Sequence, residues 1–265
     1  MARVLITGCS SGFGRATAVE LTKRGHEVMA SARRPETLDE LDVATKLALD
    51  VDDAASVARA VDEADPIDAL VNNAGFGVHG PVEYLPVDEL KAMFDTNYFG
   101  ALRMIQAVVP GMRARGGGVV VNVSSVAGRV GAPFGGGYGA SKWALECMSE
   151  SLHYEVGHFG IRVVIVEPGA FETGFQASNR AVDEDREPYD ELHRQWDGAT
   201  ARLADGAAPP GPEPVAIAIA DALEDEATPL RVPVGVDAEL VTATRAAMGD
   251  TEFEATMRQA LEITW

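Results

Sequence analysis

The sequence has few cysteines and no long hydrophobic run. Its 265 residues include 2 cysteines, Cys9 and Cys147, which are too few for a disulfide scaffold and are not spaced as metal ligands. No segment approaches the roughly 18 consecutive apolar residues that a membrane helix needs. A strand-like apolar run begins at residue 4, so we expect no signal peptide before the fold. These absences predict a reduced, soluble, cytoplasmic protein with no metal site and no membrane association.

Basic side chains are scarce relative to acidic ones. The chain carries 22 Lys and Arg against 41 Asp and Glu, a formal net charge of −19. Nucleic acid is bound by clustered Lys and Arg, so this balance argues against a nucleic-acid partner. It also weakens the case for a polyanionic substrate or an acidic carrier protein. We expect a small-molecule substrate, and we attribute the acidic surface to solubility.

Short apolar runs alternate with helix-like stretches along most of the chain. The predicted strands cover residues 4–7, 27–31, 46–49, 67–71, 119–123, 162–167 and 230–234. The predicted helices cover residues 13–23, 54–63, 87–112 and 138–157, and Asp88 is a candidate cap of the third. Near-continuous apolar strands are typical of a parallel sheet buried on both faces. We predict an α/β fold, a Rossmann-type doubly wound parallel sheet of about seven strands, in a single domain over residues 1–265.

Two segments depart from this alternation. Residues 171–211 are polar and irregular, with acidic residues at Asp183-Glu184-Asp185. Because so long a connection is usually a lid, a binding element or a disordered segment, we predict a substrate lid here, with Phe171 and Phe175 on its apolar underside. Residues 236–265 are predicted to form C-terminal helices.

A glycine-rich loop follows the first predicted strand and opens the first helix. It consists of Thr7-Gly8-Cys9-Ser10-Ser11-Gly12-Phe13-Gly14. Glycines allow a sharp turn and a close approach to a pyrophosphate, which then lies against the positive end of the helix. The position of this loop between a strand and a helix predicts dinucleotide binding.

The residues after the second predicted strand indicate which dinucleotide is preferred. An acidic residue there binds the ribose 2′-hydroxyl of NAD, whereas Arg accommodates the 2′-phosphate of NADP. This chain has Ala32-Arg33-Arg34 and no carboxylate. Two guanidinium groups can make charge-assisted hydrogen bonds to a phosphate, so we predict NADP(H) in preference to NAD(H).

A tyrosine and a lysine lie one turn apart in the last long predicted helix. The segment is Tyr138-Gly139-Ala140-Ser141-Lys142, and its i, i+4 spacing puts both side chains on one helix face. An ammonium group favours the phenolate, so we predict a Tyr138 pKa below its usual value of about 10, suited to general acid–base catalysis. Ser124-Ser125, at the end of a predicted strand, lies upstream.

Further short motifs occur where predicted strands end and within the third predicted helix. They are Leu49-Asp50-Val51, Asn72-Asn73-Ala74-Gly75, Thr96-Asn97-Tyr98-Phe99-Gly100, and Pro168-Gly169 followed by Thr173. Their order, together with the glycine loop and the Tyr138/Lys142 pair, resembles that of the short-chain dehydrogenase/reductase family. The resemblance extends from residue 4 to about residue 234. The cofactor-binding residues that it implies are Gly8, Ser10, Ser11, Gly12, Phe13, Gly14, Arg33, Arg34, Asp50, Val51, Asn73, Ala74, Gly75, Tyr138, Lys142, Pro168, Gly169 and Thr173.

The resemblance also implies a set of four catalytic residues. Tyr138 would exchange the proton with the substrate oxygen, and Ser125 would hydrogen-bond that oxygen. Lys142 would tune Tyr138 and hold the nicotinamide ribose, and Asn97 would anchor a water that links Lys142 to solvent. The implied activity is hydride transfer between NADP(H) and an alcohol/ketone or alcohol/aldehyde pair. The implied assembly is a homodimer or a homotetramer.

Three details resemble the branch of the family that contains 17β-hydroxysteroid and retinol dehydrogenases. They are Thr7-Gly8-Cys9-Ser10-Ser11-Gly12, Ala32-Arg33-Arg34, and Leu230-Arg231-Val232-Pro233-Val234-Gly235. Those relatives often take apolar alcohols or ketones, so we expect an apolar substrate. Candidate pocket residues, each beside a motif, are Phe76, His79, Val130, Phe134, Phe171 and Phe175.

Other functions share parts of this pattern. A 3-oxoacyl-thioester reductase has the whole motif set, although the acidic surface counts against an acidic carrier as donor. A non-catalytic NADP-binding redox sensor would often lack the Tyr or the Lys, and this chain has both. A sugar epimerase or dehydratase usually carries a longer C-terminal substrate domain than this chain has room for.

Overall fold

Seven parallel strands form the central sheet. The computed structural model describes residues 1–175, 179–182, 187–203 and 208–265. The strands of the sheet are β1 (Arg3–Ile6), β2 (Glu27–Ala32), β3 (Thr45–Ala48), β4 (Ala69–Asn72), β6 (Gly118–Val123), β7 (Ile161–Pro168) and β9 (Arg231–Val234), and their spatial order is β3-β2-β1-β4-β6-β7-β9. Every adjacent pair is parallel. The predicted α/β, doubly wound parallel sheet of seven strands is confirmed.

Helices cover both faces of the sheet, as buried parallel strands require. On one face α1 (Gly12–Lys23) packs beside α7 (Glu213–Glu224), with Leu21 and Ile219 in one hydrophobic core. On the other face α2 (Ala54–Ala64), α4 (Ala101–Arg115) and α5 (Gly136–Val156) enclose a second core. None of the described helices is long and apolar enough to cross a membrane.

The predicted helix over residues 87–112 is wrong as a single element. The chain forms α3 (Val87–Phe94), a π-helical turn (Asp95–Gly100) and then α4. The apolar periodicity continues through this turn, so the pattern alone does not reveal it. Asp88 lies in the first turn of α3 but does not cap it, because Pro86 occupies the N-cap position and no side-chain cap bond forms.

The segment predicted to be irregular contains regular structure. A two-stranded parallel ribbon joins β5 (Val78–His79) to β8 (Arg180–Ala181), and α6 covers Asp190–Leu203. The acidic residues Asp183-Glu184-Asp185 lie outside the described residues. After β9, helices α8 (Val236–Ala247) and α9 (Asp250–Ala260) occupy the region where C-terminal helices are predicted.

Candidate active site

A cavity of about 580 Å³ lies along the edge where the parallel strands end. Residues just beyond six strands line it: Gly8 after β1, Arg33 after β2, Asp50 after β3, Asn73 after β4, Ser125 after β6 and Gly169 after β7. Open parallel sheets bind ligands at this edge because the connecting loops and helix N-termini converge there. The cavity brings together most of the residues predicted to bind cofactor.

The glycine loop forms one wall of this cavity. Gly8 has a φ of +75° and Gly12 a φ of +57°, both in the left-handed region that favours glycine. Ser11 is the N-cap of α1 but makes no side-chain cap bond, so the first-turn N–H groups remain available to an anion. The loop residues that line the cavity are Gly8, Ser10, Ser11, Gly12 and Phe13.

Gly14 belongs to the packing of this loop and does not line the cavity. A Cβ atom at Gly14 would lie 2.5 Å from the Gly8 carbonyl oxygen and 2.5 Å from Asn73 Nδ2. No side chain fits between these two groups unless the loop moves. Gly14 is therefore required by the packing of the loop, and its contact with the cofactor stays a prediction.

Thr7 and Asn73 hold the glycine loop against the end of β4. Thr7 Oγ1 accepts hydrogen bonds from the backbone N–H groups of Asn73 and Ala74, each at 3.0 Å. Asn73 Nδ2 donates to the carbonyl oxygens of Thr7 at 2.9 Å and Gly8 at 3.1 Å. Asn73, Ala74 and Gly75 line the cavity beside the loop.

The residues after β2 and β3 line the far end of the cavity. Arg33 lies there and, among the described residues, no carboxylate forms a salt bridge with it. Arg34 is exposed and does not line the cavity, so its contact with the cofactor stays a prediction. Asp50 and Val51 do line it, and the Asp50 carboxylate accepts a bond from the backbone N–H of Asp52 at 3.1 Å.

Ser125, Tyr138 and Lys142 meet at the centre of the cavity. Lys142 follows Tyr138 by one turn of α5, and its Nζ lies 5.8 Å from the centroid of the Tyr138 ring. The same Nζ donates to the Val123 carbonyl oxygen at 2.9 Å. Ser125 Oγ accepts a hydrogen bond from the Ala127 N–H at 3.2 Å, which holds the hydroxyl just beyond the C-terminal end of β6. The i, i+4 prediction for Tyr138 and Lys142 therefore describes their geometry correctly.

The pKa of Tyr138 in the structure differs from the predicted one. Burial raises the pKa of Tyr138 to about 12, and its hydrogen bond with Ser125 acts in the opposite direction. Burial lowers the pKa of Lys142 to about 8, and the nearby Glu146 carboxylate acts to raise it. The predicted lowering of the Tyr138 pKa is wrong, because the loss of hydration outweighs the hydrogen bond with Ser125. At neutral pH Tyr138 is a phenol, the form that donates a proton.

Asn97 lies in the π-helical turn, buried behind the cavity. Its Nδ2 donates to the Phe76 carbonyl oxygen at 2.9 Å and to Ser141 Oγ at 3.0 Å, and its Oδ1 accepts from the Phe76 N–H at 3.0 Å. Asn97 does not line the cavity. Its side chain instead ties the segment after β4 to helix α5, one residue before Lys142. The water that Asn97 would anchor stays a prediction.

Aromatic rings line the end of the cavity near Tyr138. His79 and Phe175 have ring centroids 5.5 Å and 5.7 Å from that of Tyr138, and Phe76 also lines this end. Phe171 lines the cavity and packs edge-on against Phe13 at 5.6 Å.

Two of the candidate pocket residues lie elsewhere. Val130 does not line the cavity, and neither does Phe134. The Phe134 ring stacks on His193 with 3.8 Å between the ring centroids, so its apolar face is already covered.

Similarity to known proteins agrees with this geometry. The family model described as short chain dehydrogenase matches residues 2–184, more than half of the chain. The chain belongs to the short-chain dehydrogenase/reductase family. Accordingly, the protein is an NAD(P)-dependent oxidoreductase that acts on CH–OH groups of a small molecule.

Two curated relatives are each 42% identical to this dehydrogenase. One is a 3-ketodihydrosphingosine reductase of Bacteroides thetaiotaomicron, matched over 185 residues, 68% of each chain. The other is retinol dehydrogenase 8 of Homo sapiens, matched over 186 residues, 65% of this chain and 60% of the relative. The predicted likeness to the branch with retinol dehydrogenases is confirmed.

Solved structures of the family share the whole fold. A short-chain dehydrogenase from Streptomyces avermitilis is 36% identical, with a TM-score of 0.84 over 98% of this chain and 97% of that one. A short chain dehydrogenase from Burkholderia cenocepacia, solved in complex with NADP, is 26% identical, with a TM-score of 0.79 over 97% of each chain.

The structure adds residues to this dehydrogenase's cavity that the sequence did not single out. Asp52 and Thr96 form a bonded pair in which Thr96 Oγ1 donates to Asp52 Oδ2 at 2.9 Å. Each is adjacent in the sequence to a predicted site residue, and this adjacency is the one signal that could have identified them. Lining residues that occur in the sequence motifs without a predicted role are Ala32, Leu49, Thr96 and Ser124, and the further lining residues are Asp52, Val123, Ala170, Asn179, Arg180 and Pro209. Asn179 and Arg180 come to the cavity because β8 pairs with β5.

The described residues contain no metal-binding cluster, and the buried Cys9 is a protonated thiol at neutral pH. Within the described ranges, no group of three or more His, Cys, Asp or Glu side chains could hold a metal ion. Burial raises the pKa of the Cys9 thiol to about 12. The thiol therefore stays protonated and unreactive at neutral pH.

Proposed function

We propose that this dehydrogenase interconverts an apolar alcohol and the matching ketone or aldehyde, with NADP(H) preferred over NAD(H). The observation that carries the proposal is the shared cavity. Tyr138, Ser125 and Lys142 line the same space as the glycine loop and Arg33. A proton donor and a dinucleotide cradle in one enclosure are what hydride transfer to a carbonyl requires.

The residues present fit the dinucleotide. The uncapped N-terminus of α1 offers N–H groups to the pyrophosphate, and Gly8 and Gly12, which line the cavity, carry no side chain that would fill it. Arg33, without a carboxylate partner in the described parts of the chain, is available to a 2′-phosphate. Thr173 lies against Gly12, close to the loop, and Pro168 and Gly169 line the opposite wall. When bound, the nicotinamide supplies or accepts the hydride.

The protein's own residues handle the proton and the developing charge. Tyr138, a phenol at neutral pH because burial raises its pKa to about 12, donates its proton to the carbonyl oxygen during reduction. Ser125 donates a hydrogen bond to the same oxygen, where negative charge develops. Lys142 holds the ribose, and its charge stabilises the phenolate that remains. Asn97 acts as a positioning residue, since its bonds run to Phe76 and Ser141.

An apolar substrate is supported by the aromatic side chains near Tyr138. Phe76 and Phe175 line that end of the cavity. The two curated relatives are named for a ketodihydrosphingosine and a retinol, molecules with a long hydrocarbon part. A 3-oxoacyl thioester would enter the same site, and the net charge of −19 speaks against its delivery by an acidic carrier protein.

We extend the proposal to a lid and to a homo-oligomer. The segment over residues 171–211 meets the cavity through Phe171, Phe175 and Arg180, which suits a cover that excludes water when it closes. On the outer side of α5, Trp143 and Tyr154 are 50% and 77% exposed. Exposed aromatic residues on a helix of this length favour an interface with a second copy, in a homodimer or homotetramer.

The experiment replaces Tyr138 by phenylalanine. A panel of apolar ketones and aldehydes is offered with NADPH, and the matching alcohols with NADP⁺, while the absorbance of NADPH is followed. Tyr138→Phe should lower turnover by at least about 10²–10⁴, the range for losing a general acid, and leave NADPH binding intact. Tyr154→Phe is the matched control, because Tyr154 lies on the same helix but is exposed to solvent. Turnover by Tyr138→Phe at the wild-type rate would refute the mechanism.

The pH dependence of the two directions gives a separate check. Alcohol oxidation needs the phenolate, so its rate should rise with pH toward the Tyr138 pKa of about 12. Carbonyl reduction uses the phenol and should show no loss from Tyr138 until that pH is approached. Oxidation that reaches its maximum below pH 8 would show that another group is the base.

A further inference from the structure

A cluster of buried charges lies directly behind Lys142. Glu146 follows Lys142 by one turn of α5, and its side chain is 5% exposed. Arg231 of β9 places Nε 3.0 Å from Glu146 Oε2, and the same Nε lies 3.5 Å from Glu167 Oε1 of β7, whose side chain is 1% exposed. Two buried carboxylates therefore share one guanidinium group. Buried charges are retained only when paired, and Arg231 is the partner of both carboxylates.

The cluster continues outward to solvent. Arg129 Nη1 lies 2.9 Å from Glu167 Oε1. Glu150 Oε2 lies 2.6 Å from Arg231 Nη2, and the Glu150 side chain is 47% exposed. Arg129 and Glu150 thus form the outer part of the cluster. Its inner end is Glu146, and the cation nearest to that end along α5 is Lys142.

Glu146 and Lys142 pack side by side against one glycine. A Cβ atom at Gly128 would lie 3.1 Å from Glu146 Cγ and 3.3 Å from Lys142 Cβ. The first carbons of both side chains therefore pack against this glycine. In the part of the chain that the structure describes, the one hydrogen-bond acceptor of Lys142 is a neutral carbonyl, that of Val123. A neutral acceptor does little to hold a charge in a buried site.

We propose that Glu146 is a positioning residue that keeps the buried Lys142 side chain in its ammonium form, with Arg231 holding the Glu146 carboxylate in place. The inference deepens the proposed function, on which its role in turnover rests. It also assigns a role to Arg231, which takes no other part in the proposed mechanism.

The groups that face Lys142 act in opposite directions. Burial lowers the pKa of Lys142 to about 8, while Glu146 raises it. The pKa of Glu146 is raised, chiefly by burial and further by Glu167, while hydrogen bonds with Ser124 and Arg231 act to lower it. The Tyr138 phenol is uncharged at neutral pH and does not compete with Glu146. Without the Glu146 charge, only the burial of Lys142 would remain, and the pKa of Lys142 would fall further.

The test observes Lys142 directly in the full, cofactor-free chain. The sequence has four lysines, and the other three, Lys23, Lys46 and Lys91, are exposed. Lysine labelled with ¹³C at Cε gives a spectrum of four signals, and the Lys142 signal is assigned by its loss in Lys142→Met. In wild type this signal should titrate near pH 8 or above. In Glu146→Gln, which keeps the shape and an acceptor for Arg231, the midpoint should fall by about 1–3 units, the range for one neighbouring opposite charge.

Two further variants complete the test. Glu150→Gln removes the same charge from the same helix and also loses a contact with Arg231, but at the exposed end, so the Lys142 midpoint should move much less. Glu146→Asp keeps the charge and should retain most of the wild-type midpoint. An unchanged Lys142 midpoint in folded Glu146→Gln, or an equal shift in Glu150→Gln, overturns the proposal. So does a wild-type midpoint well below pH 7, an outcome that needs no variant.

The titration and the proposed function fail separately. Lack of turnover with every carbonyl compound would refute the proposed function and leave the titration valid. If turnover is present, the pH at which NADPH affinity declines should fall in Glu146→Gln with the Lys142 midpoint, and an unmoved NADPH profile would overturn the role of Glu146 in the reaction. A merely structural role of Glu146 would lower the melting temperature without moving either pH profile.

Discussion

Replacing Lys142 by methionine should give a protein that is more stable than wild type and inactive. Burial lowers the pKa of Lys142 from the usual 10.5 to about 8. The difference is 10.5 − 8 = 2.5 units, and each unit corresponds to about 1.4 kcal/mol, so keeping the ammonium in the fold at pH 7 costs roughly 3 kcal/mol. The substitution also removes the hydrogen bond from Lys142 Nζ to the Val123 carbonyl oxygen, which lowers the stability of the variant by about 1 kcal/mol. Lys142→Met should therefore raise the free energy of unfolding by roughly 2 kcal/mol.

The sign of this effect depends on pH in a defined way. Below about pH 8 the lysine is charged in both the folded and the unfolded chain, and the full cost is present. Between about 8 and 10.5 the folded protein loses the proton while the unfolded chain keeps it, so the wild type gains stability with rising pH. The advantage of Lys142→Met should shrink over that interval. A variant less stable than wild type at pH 7, or a difference that does not change with pH, would refute the reasoning.

Urea unfolding at several pH values measures this difference. Lys91→Met is the control, because the Lys91 side chain is 72% exposed and substitutions at such sites change stability by less than about 0.5 kcal/mol. Lys91→Met should show no comparable dependence on pH between 8 and 10.5.

Three other outcomes follow from the site and the surface. Arg33→Ala should weaken NADPH binding more than Arg34→Ala, because only Arg33 lines the cavity; equal Kd changes in fluorescence titrations would contradict this. Gly14→Ala should weaken NADPH binding at least tenfold and lower the Tm, because its methyl group would lie 2.5 Å from the Gly8 carbonyl oxygen; wild-type values of both would be inconsistent with that contact. Light scattering should find a dimer or tetramer that Trp143→Glu dissociates, and a wild-type monomer at micromolar concentration would exclude the interface.

The sequence predicts the sheet well because the signal for each strand is local. Each predicted strand begins and ends within two residues of the observed one, since a run such as Val119–Val123 is apolar on both faces. Ser125, Tyr138, Lys142 and most of the glycine loop line one cavity, as their residue types and spacing suggest, and their roles in binding and catalysis stay predictions.

What the sequence does not reveal depends on distant contacts. The π-helical turn at Asp95–Gly100 accompanies bonds from Asn97 to Phe76 and Ser141, which lie 21 and 44 residues away. The pKa of Tyr138 was predicted in the wrong direction because burial is a property of the folded chain. The contact between Glu146 and Arg231 joins residues 85 apart and leaves no pattern in the sequence.

The π-helical turn between α3 and α4 allows the two helices to pack in different parts of the molecule. One extra residue in a turn offsets the following helix by about 100°, so the two halves present their apolar residues in different directions. Met93 of α3 packs near Tyr138 and Val78, whereas Met104 of α4 packs into the core under the sheet. Substitutions on α3 would therefore act on the packing around Tyr138, whereas substitutions on the buried face of α4 would act on the core under the sheet.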